Sequence, residues 1–143
     1  KEFILPVKIT KTVKGAIQVK LYFNNNSTDS EYACKKVLPV DRGVSETKAV
    51  ARAALEELLK GPTRQEILDG FFTSINPDVK IQKLTIENTV ARVDFDSNLE
   101  KNVGGSCRVT AIRNQITQTL LQFKTIKSVI ISINDRTEDI LQP

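Results

Sequence analysis

The sequence predicts an α+β fold, an α/β sandwich in which a mixed sheet of about five strands carries two main helices on one face. Two observations carry this. Two long segments each show a single apolar stripe at helical spacing: Val50, Ala54, Leu55, Leu58 and Leu59 in one, and Val109, Ile112, Ile116, Leu120 and Phe123 in the other. Around them, apolar residues alternate with polar ones or run in short β-branched stretches, the pattern of strands. A helix with one stripe covers only one layer, so two such helices pack most simply on the same side of a sheet. The expected order is β-β-α-α(short)-β-β-α-β.

Residues 1–15, with Pro6, four lysines and Gly15, read as an extended lead-in. Ile17, Val19, Leu21 and Phe23 alternate as a half-buried strand, and the polar stretch from Asn24 to Ser30 ends it. Lys35 to Asp41 reads as a second strand, placed at an edge because Pro39 has no N–H to give a ladder. Its residues Lys36, Leu38 and Val40 are the candidate interaction edge. Ser45 or Thr47 is expected to cap the first helix, which Gly61-Pro62 stops near Lys60. Thr63 to Glu66 forms a capping box opening a short helical turn that closes at Gly70, with Phe71 and Phe72 expected to plug the core beneath it.

A hairpin follows, with Leu84 and Ile86 on one arm, Ala91, Val93 and Phe95 on the other, and Glu87-Asn88-Thr89 between. Val79 and Ile81 are out of phase with Leu84 and Ile86, which predicts a bulge. The loop from Asn98 to Ser106 leads into the second long helix. The β-branched run through Ile133 is the last strand, followed by an Asn134-Asp135 turn. Residues 16–135 are read as one domain and 136–143 as a C-terminal tail.

Composition excludes much chemistry. The 143 residues hold no histidine, so a Ser-His-Asp triad, a Cys-His dyad and an HExxH zinc site are all ruled out. Of the net charge of +4, the basic excess sits in residues 1–20, where Lys1, Lys8, Lys11, Lys14 and Lys20 face Glu2 alone. The rest is balanced, and no aromatic side chains interleave with a basic patch, which argues against nucleic acid. The longest apolar runs are too short to span a membrane. The chain starts at Lys1 and holds no methionine, so a processed or trimmed fragment is expected, with any membrane anchor outside it.

Cys34 and Cys107 are the only cysteines, and neither has a second metal-type ligand at zinc spacing. They read as one long-range disulfide in an oxidising compartment, the favoured reading, or as free thiols. Cys107, at a helix start beside Arg108, is the one position where a reactive thiol is conceivable. Asp94, Asp96 and Asn98 match the first half of a calcium loop, but Leu99 and Gly105 stand where glycine and glutamate are required. The carboxylates therefore read as solvated strand ends, not as a metal site or a glycosidase pair. Gly104, Gly105 and Ser106 precede a helix and form a candidate ligand or anion loop, without the GK[ST] of a nucleotide site. Glu56 and Lys60 read as an i,i+4 pair, and Arg108, Arg113 and Gln115 as solvent-facing.

Several segments together resemble one family. The helix with Ala51-Arg-Ala-Ala-Leu-Glu-Glu-Leu-Leu-Lys-Gly-Pro-Thr, the Ile75-Asn-Pro turn and the hairpin Ile86 to Phe95 carry the likeness. So do Gln115-Ile116, Leu120 to Phe123 and the terminal strand Val129 to Ile133. Over about residues 17–135 the chain resembles the GerMN domain, the sporulation and spore-germination module of bacterial envelope proteins. Thr89 departs from the family's hairpin, where glycine is common.

The resemblance implies an extracytoplasmic domain held at a membrane by an upstream anchor, with no enzymatic activity and no cofactor. It implies a partner in the cell envelope or self-association, since the fold is similar to ring-building modules of secretion and sporulation complexes. The pattern around Cys34 and Cys107 resembles a subgroup carrying both cysteines, which favours their pairing. A cell-wall or small-ligand binding module is the alternative, with the Gly104–Ser106 loop and the strand-end acids lining its site.

Overall fold

The computed structural model describes residues 15–27 and 36–142. Among the described residues, six strands and three α-helices follow one another as β1 (Ala16–Asn25), β2 (Leu38–Ser45), α1 (Val50–Lys60), α2 (Arg64–Leu68), β3 (Phe71–Phe72), β4 (Ile81–Glu87), β5 (Val90–Phe95), α3 (Ser106–Leu121) and β6 (Ser128–Ile133). The α+β class and both main helices stand as expected. The strands, however, form two three-stranded sheets, β2-β1-β3 and β4-β5-β6, where one sheet of about five was expected. Pairing is antiparallel throughout the first sheet and between β4 and β5, whereas β5 and β6 run parallel.

The division has a local cause. The second edge of β1 is occupied by side chains of α3 and by the short strand β3, so no long strand pairs there. The Gln122 amide accepts from the Lys20 N–H at 2.9 Å and donates to the Lys20 carbonyl at 2.7 Å. The Thr119 hydroxyl accepts from the Tyr22 N–H at 3.2 Å, and Asn24 and Asn25 pair with β3. Helix α3 thus stands in for a strand along this edge while packing against β1, α1 and β6, which ties the two sheets together.

Burial explains the rest. Val19, Leu21 and Phe23 of β1, Ala54, Leu55 and Leu58 of α1, and Ile112, Ile116 and Leu120 of α3 meet Val93, Phe95 and Ile133 in one core. Ile140 and Leu141, within the segment expected as a tail, are buried in that core as well. Helix α1 starts at Val50, later than expected, because β2 continues to Ser45 and no side chain caps the helix at Ala49. Thr47 instead accepts from the Ala49 N–H. Phe71 and Phe72 form β3, and Phe72 is exposed where a core plug was expected.

Other local signals hold. Thr63 and Glu66 make the full capping box of α2. The register slips between Ile81 and Lys83, which is the expected bulge. The hairpin closes on two residues, Asn88 and Thr89, both with positive φ, as in a type I′ turn.

Candidate interaction surface

Strand β2 is an outer strand of its sheet, bonded to β1 on one side. Backbone orientation follows from the α3 contacts. Lys20 turns its N–H and C=O toward Gln122, hence away from β2, and Lys20 pairs with Asp41. In an antiparallel ladder this orientation alternates residue by residue. Leu38, Val40, Arg42 and Val44 therefore bond to β1, and Pro39, Asp41, Gly43 and Ser45 turn their backbone groups outward.

The expected edge residues are thus divided in role. Lys36 is exposed just ahead of the strand. Leu38 and Val40, opposite Phe23 and Leu21, are half-buried and spend their backbone groups on β1. Among the described residues, the outer-edge N–H donors without a ladder partner belong to Asp41, Gly43 and Ser45, and Pro39 offers only a carbonyl.

The edge is braced from behind. Arg42 reaches Glu66 of α2 at 2.6 Å and Glu57 of α1 at 3.3 Å, all three side chains being largely buried. Lys60 bonds Glu57 at 2.6 Å. Burial alone would push the Glu57 carboxyl up, but Lys60 and Arg42 outweigh it and hold the group below its ordinary range. Lys60 therefore pairs with Glu57, while Glu56 pairs with Arg52 at 3.1 Å, not with Lys60 as the spacing suggested.

A second polar network lies inside. Gln115, fully buried, accepts from the Ser74 N–H at 2.8 Å and donates to the Thr73 hydroxyl at 3.0 Å, and the Ser74 hydroxyl donates to Asn24 at 2.8 Å. Arg108 donates to the Ser74 carbonyl and to the Asn76 side chain, and Arg113 to the Ile140 carbonyl. None of the three is the solvent-facing residue it was expected to be. The sequence carried one sign of this: Gln115, Thr119 and Gln122 recur at helical spacing beside the buried Ile112, Ile116 and Leu120.

The remaining candidates do not converge. Asp94 is buried, not solvated: it accepts from the Ser132 hydroxyl at 2.6 Å, the Asp135 N–H at 2.7 Å and the Gln82 amide at 2.7 Å. Burial would raise its pKa, and these three bonds outweigh that and lower it. Asp96 caps the 3-10 turn Ser97–Leu99 by accepting from the Asn98 N–H. The two carboxylates thus serve separate turns, and among the described residues no cluster suited to a metal ion forms. Gly104, Gly105 and Ser106 are exposed at the start of α3, with Gly105 at positive φ and no side-chain cap.

Cys107 is exposed in the first turn of α3, and no described cysteine is free. Cys34 lies outside the described residues, as does the start of the strand expected from Lys35. No described helix is long and apolar enough to cross a membrane.

An α+β module of two small sheets joined by one helix, with an outer strand braced by buried ion pairs, is the class these features define. The family described as Germane, sporulation and spore germination, matches residues 20–139, and the chain belongs to that family. The first GerMN domain of the sporulation protein GerM from Bacillus subtilis is similar in structure, with a TM-score of 0.67, 22% identity and 85% of each chain covered. The tandem GerMN domains of the same protein give a TM-score of 0.70 at 25% identity, covering 89% of this chain and 43% of that one. A protein of Clostridium perfringens described as a candidate lipoprotein shares the fold at 16% identity, with a TM-score of 0.57 and coverage of 90% and 81%. No curated protein matches the chain.

Proposed function

We propose that the chain is a non-catalytic, extracytoplasmic domain that binds or assembles with a partner at the bacterial cell envelope, and that the outer edge of β2 is its docking edge. Membership of a sporulation and germination family supports this, as do the solved relatives, which include a sporulation protein and a candidate lipoprotein. The single observation that carries the edge is the contrast between two strands. The far side of β1 is closed by Gln122, Thr119 and β3, whereas β2 presents the N–H groups of Asp41, Gly43 and Ser45 on a strand fixed by Arg42. A partner strand adding there gains main-chain hydrogen bonds without disturbing the fold.

The partner is an envelope protein or a second copy of this chain. A cation, cofactor or nucleic acid has no part in this reading. Asp41→Pro tests it, because it deletes one outward N–H and leaves the β1 ladder intact. Sedimentation of the full chain, alone and with candidate envelope partners, is expected to show association that this variant weakens by tenfold or more. Equal association of the variant and the parent would remove β2 as the docking edge.

A further inference from the structure

Among the described residues, four large apolar side chains are exposed: Ile67 (57%), Leu68 (71%), Phe72 (37%) and Ile86 (39%). Three of them belong to α2 and β3, which pack on each other. The fourth lies elsewhere, in an apolar cleft of about 340 Å³ between the start of α1, β4 and the end of α3. Val50, Leu84 and Phe123 line that cleft beside Ile86. The molecule thus carries an apolar knob and an apolar hollow, and exposed patches of this kind mark contact sites.

Size and charge match the two. A dry cavity of about 150 Å³ takes one benzene-sized group, so the cleft has room for two branched aliphatic side chains. Among the described residues of its lining, Lys48 and Arg52 are charged and no carboxylate is present. Arg52 is held by Glu56 at 3.1 Å, and Lys48 is exposed at the rim. The knob carries the opposite sign. Asp69 directly follows Leu68 and is exposed, its carboxylate accepting from the Gln65 amide at 3.1 Å. Glu66, the other carboxylate of this segment, is turned to Arg42 and the Thr63 N–H. Arg64 lies at the far end of α2 from Asp69.

The knob cannot reach the cleft of its own molecule. The cleft opens at the first turn of α1, α2 follows the last, and the eleven residues between span about 16 Å of rigid helix. A second copy can bring the two together. We infer that Ile67 and Leu68 of one copy seat on Val50, Leu84, Ile86 and Phe123 of another, with Asp69 facing Lys48. The two sides of this contact differ, so it is heterologous, and it propagates from copy to copy unless the series closes. It uses neither the backbone edge of β2 nor either cysteine, and so stands apart from the docking edge proposed above.

The test is sedimentation of the full chain carrying Asp41→Pro, so that pairing at β2 does not contribute. Apparent mass is expected to rise with concentration, and Leu68→Asp and Ile86→Asp are each expected to weaken that association by tenfold or more. An equimolar mixture of the two variants is expected to recover a one-to-one complex, since one retains the cleft and the other the knob. A mass that stays monomeric throughout, or association that Leu68→Asp leaves unchanged, overturns the inference without touching the β2 reading. A mixture that stays monomeric overturns it as well. Should Ile86→Asp fail to fold, exposed charges decide. Asp69→Lys is then expected to weaken association and Lys48→Glu in the same chain to restore it, and weakening without restoration overturns the contact.

Discussion

Thr89 holds a left-handed backbone conformation, φ 65°, that a β-branched side chain adopts at a cost. Its carbonyl accepts from Lys127 at 2.7 Å, so the turn also fixes the approach to β6. Thr89→Gly keeps that main-chain bond and relieves the side chain. A gain of about 1 kcal/mol in urea or thermal unfolding is expected, reduced by the extra chain entropy of glycine. A loss would mean that the Thr89 hydroxyl bond to the Asn88 carbonyl outweighs the strain. Asp94 is the other telling residue. Its folded pKa lies below the ordinary value, so its contribution to stability is fully present above the unfolded carboxylate range, about 3.9, and is lost as pH falls through the folded value. Asp94→Asn is expected to lower stability at neutral pH and to flatten the acid side of a urea-midpoint profile. A profile as steep as the parent's would assign the acid sensitivity to other carboxylates. Sequence reading placed Asp94 at a strand end but not its burial, because three donors distant in sequence, Gln82, Ser132 and Asp135, define it.

At the scale of elements, local patterns were legible and edge chemistry was not. The stripe of α1, the Thr63–Glu66 box, the bulge and the hairpin each depend on residues within a few positions of one another. The split into two sheets depends on Gln122 meeting Lys20 across the fold, and a polar residue on a helix ordinarily reads as solvated. Gln122→Leu removes both bonds to Lys20 and leaves its main-chain groups to water, since the site is exposed, a cost of about 0.5–1.5 kcal/mol. Amide exchange at Lys20 is expected to rise while that of β2 residues bonded to β1 holds. Exchange unchanged at Lys20 would mean that the edge is shielded by packing alone. The same logic explains β2. Pro39 marked it as an edge in the sequence, but which residues open outward required the α3 contacts.

For the whole molecule, covalent closure rests on Cys34 and Cys107. We expect these two to pair in the mature protein, closing a long loop worth roughly 4 kcal/mol on the chain-entropy model. Intact mass after alkylation without reductant, on protein from an oxidising compartment, is expected to be two protons light with no adduct. Two adducts would remove the bridge and, with it, the independent argument for an extracytoplasmic location. Assembly through β2 and closure by a disulfide are separable, since the Asp41→Pro variant tests the first without touching either cysteine.

One oxygen atom links these scales. Oε1 of Glu66 accepts both the Thr63 N–H at the start of α2 and the Arg42 guanidinium from β2. The helix start and the outer strand are therefore not independent oscillators but two ends of one latch. A partner strand that held β2 more firmly would, through that atom, hold the first turn of α2 more firmly too, and reciprocity would require the converse. Ile67 and Leu68, the most exposed aliphatic side chains on α2, ride on that turn. Were β2 to dock a strand as proposed, Ile67 and Leu68 would stand at the far end of that latch, a second apolar surface within reach of the first.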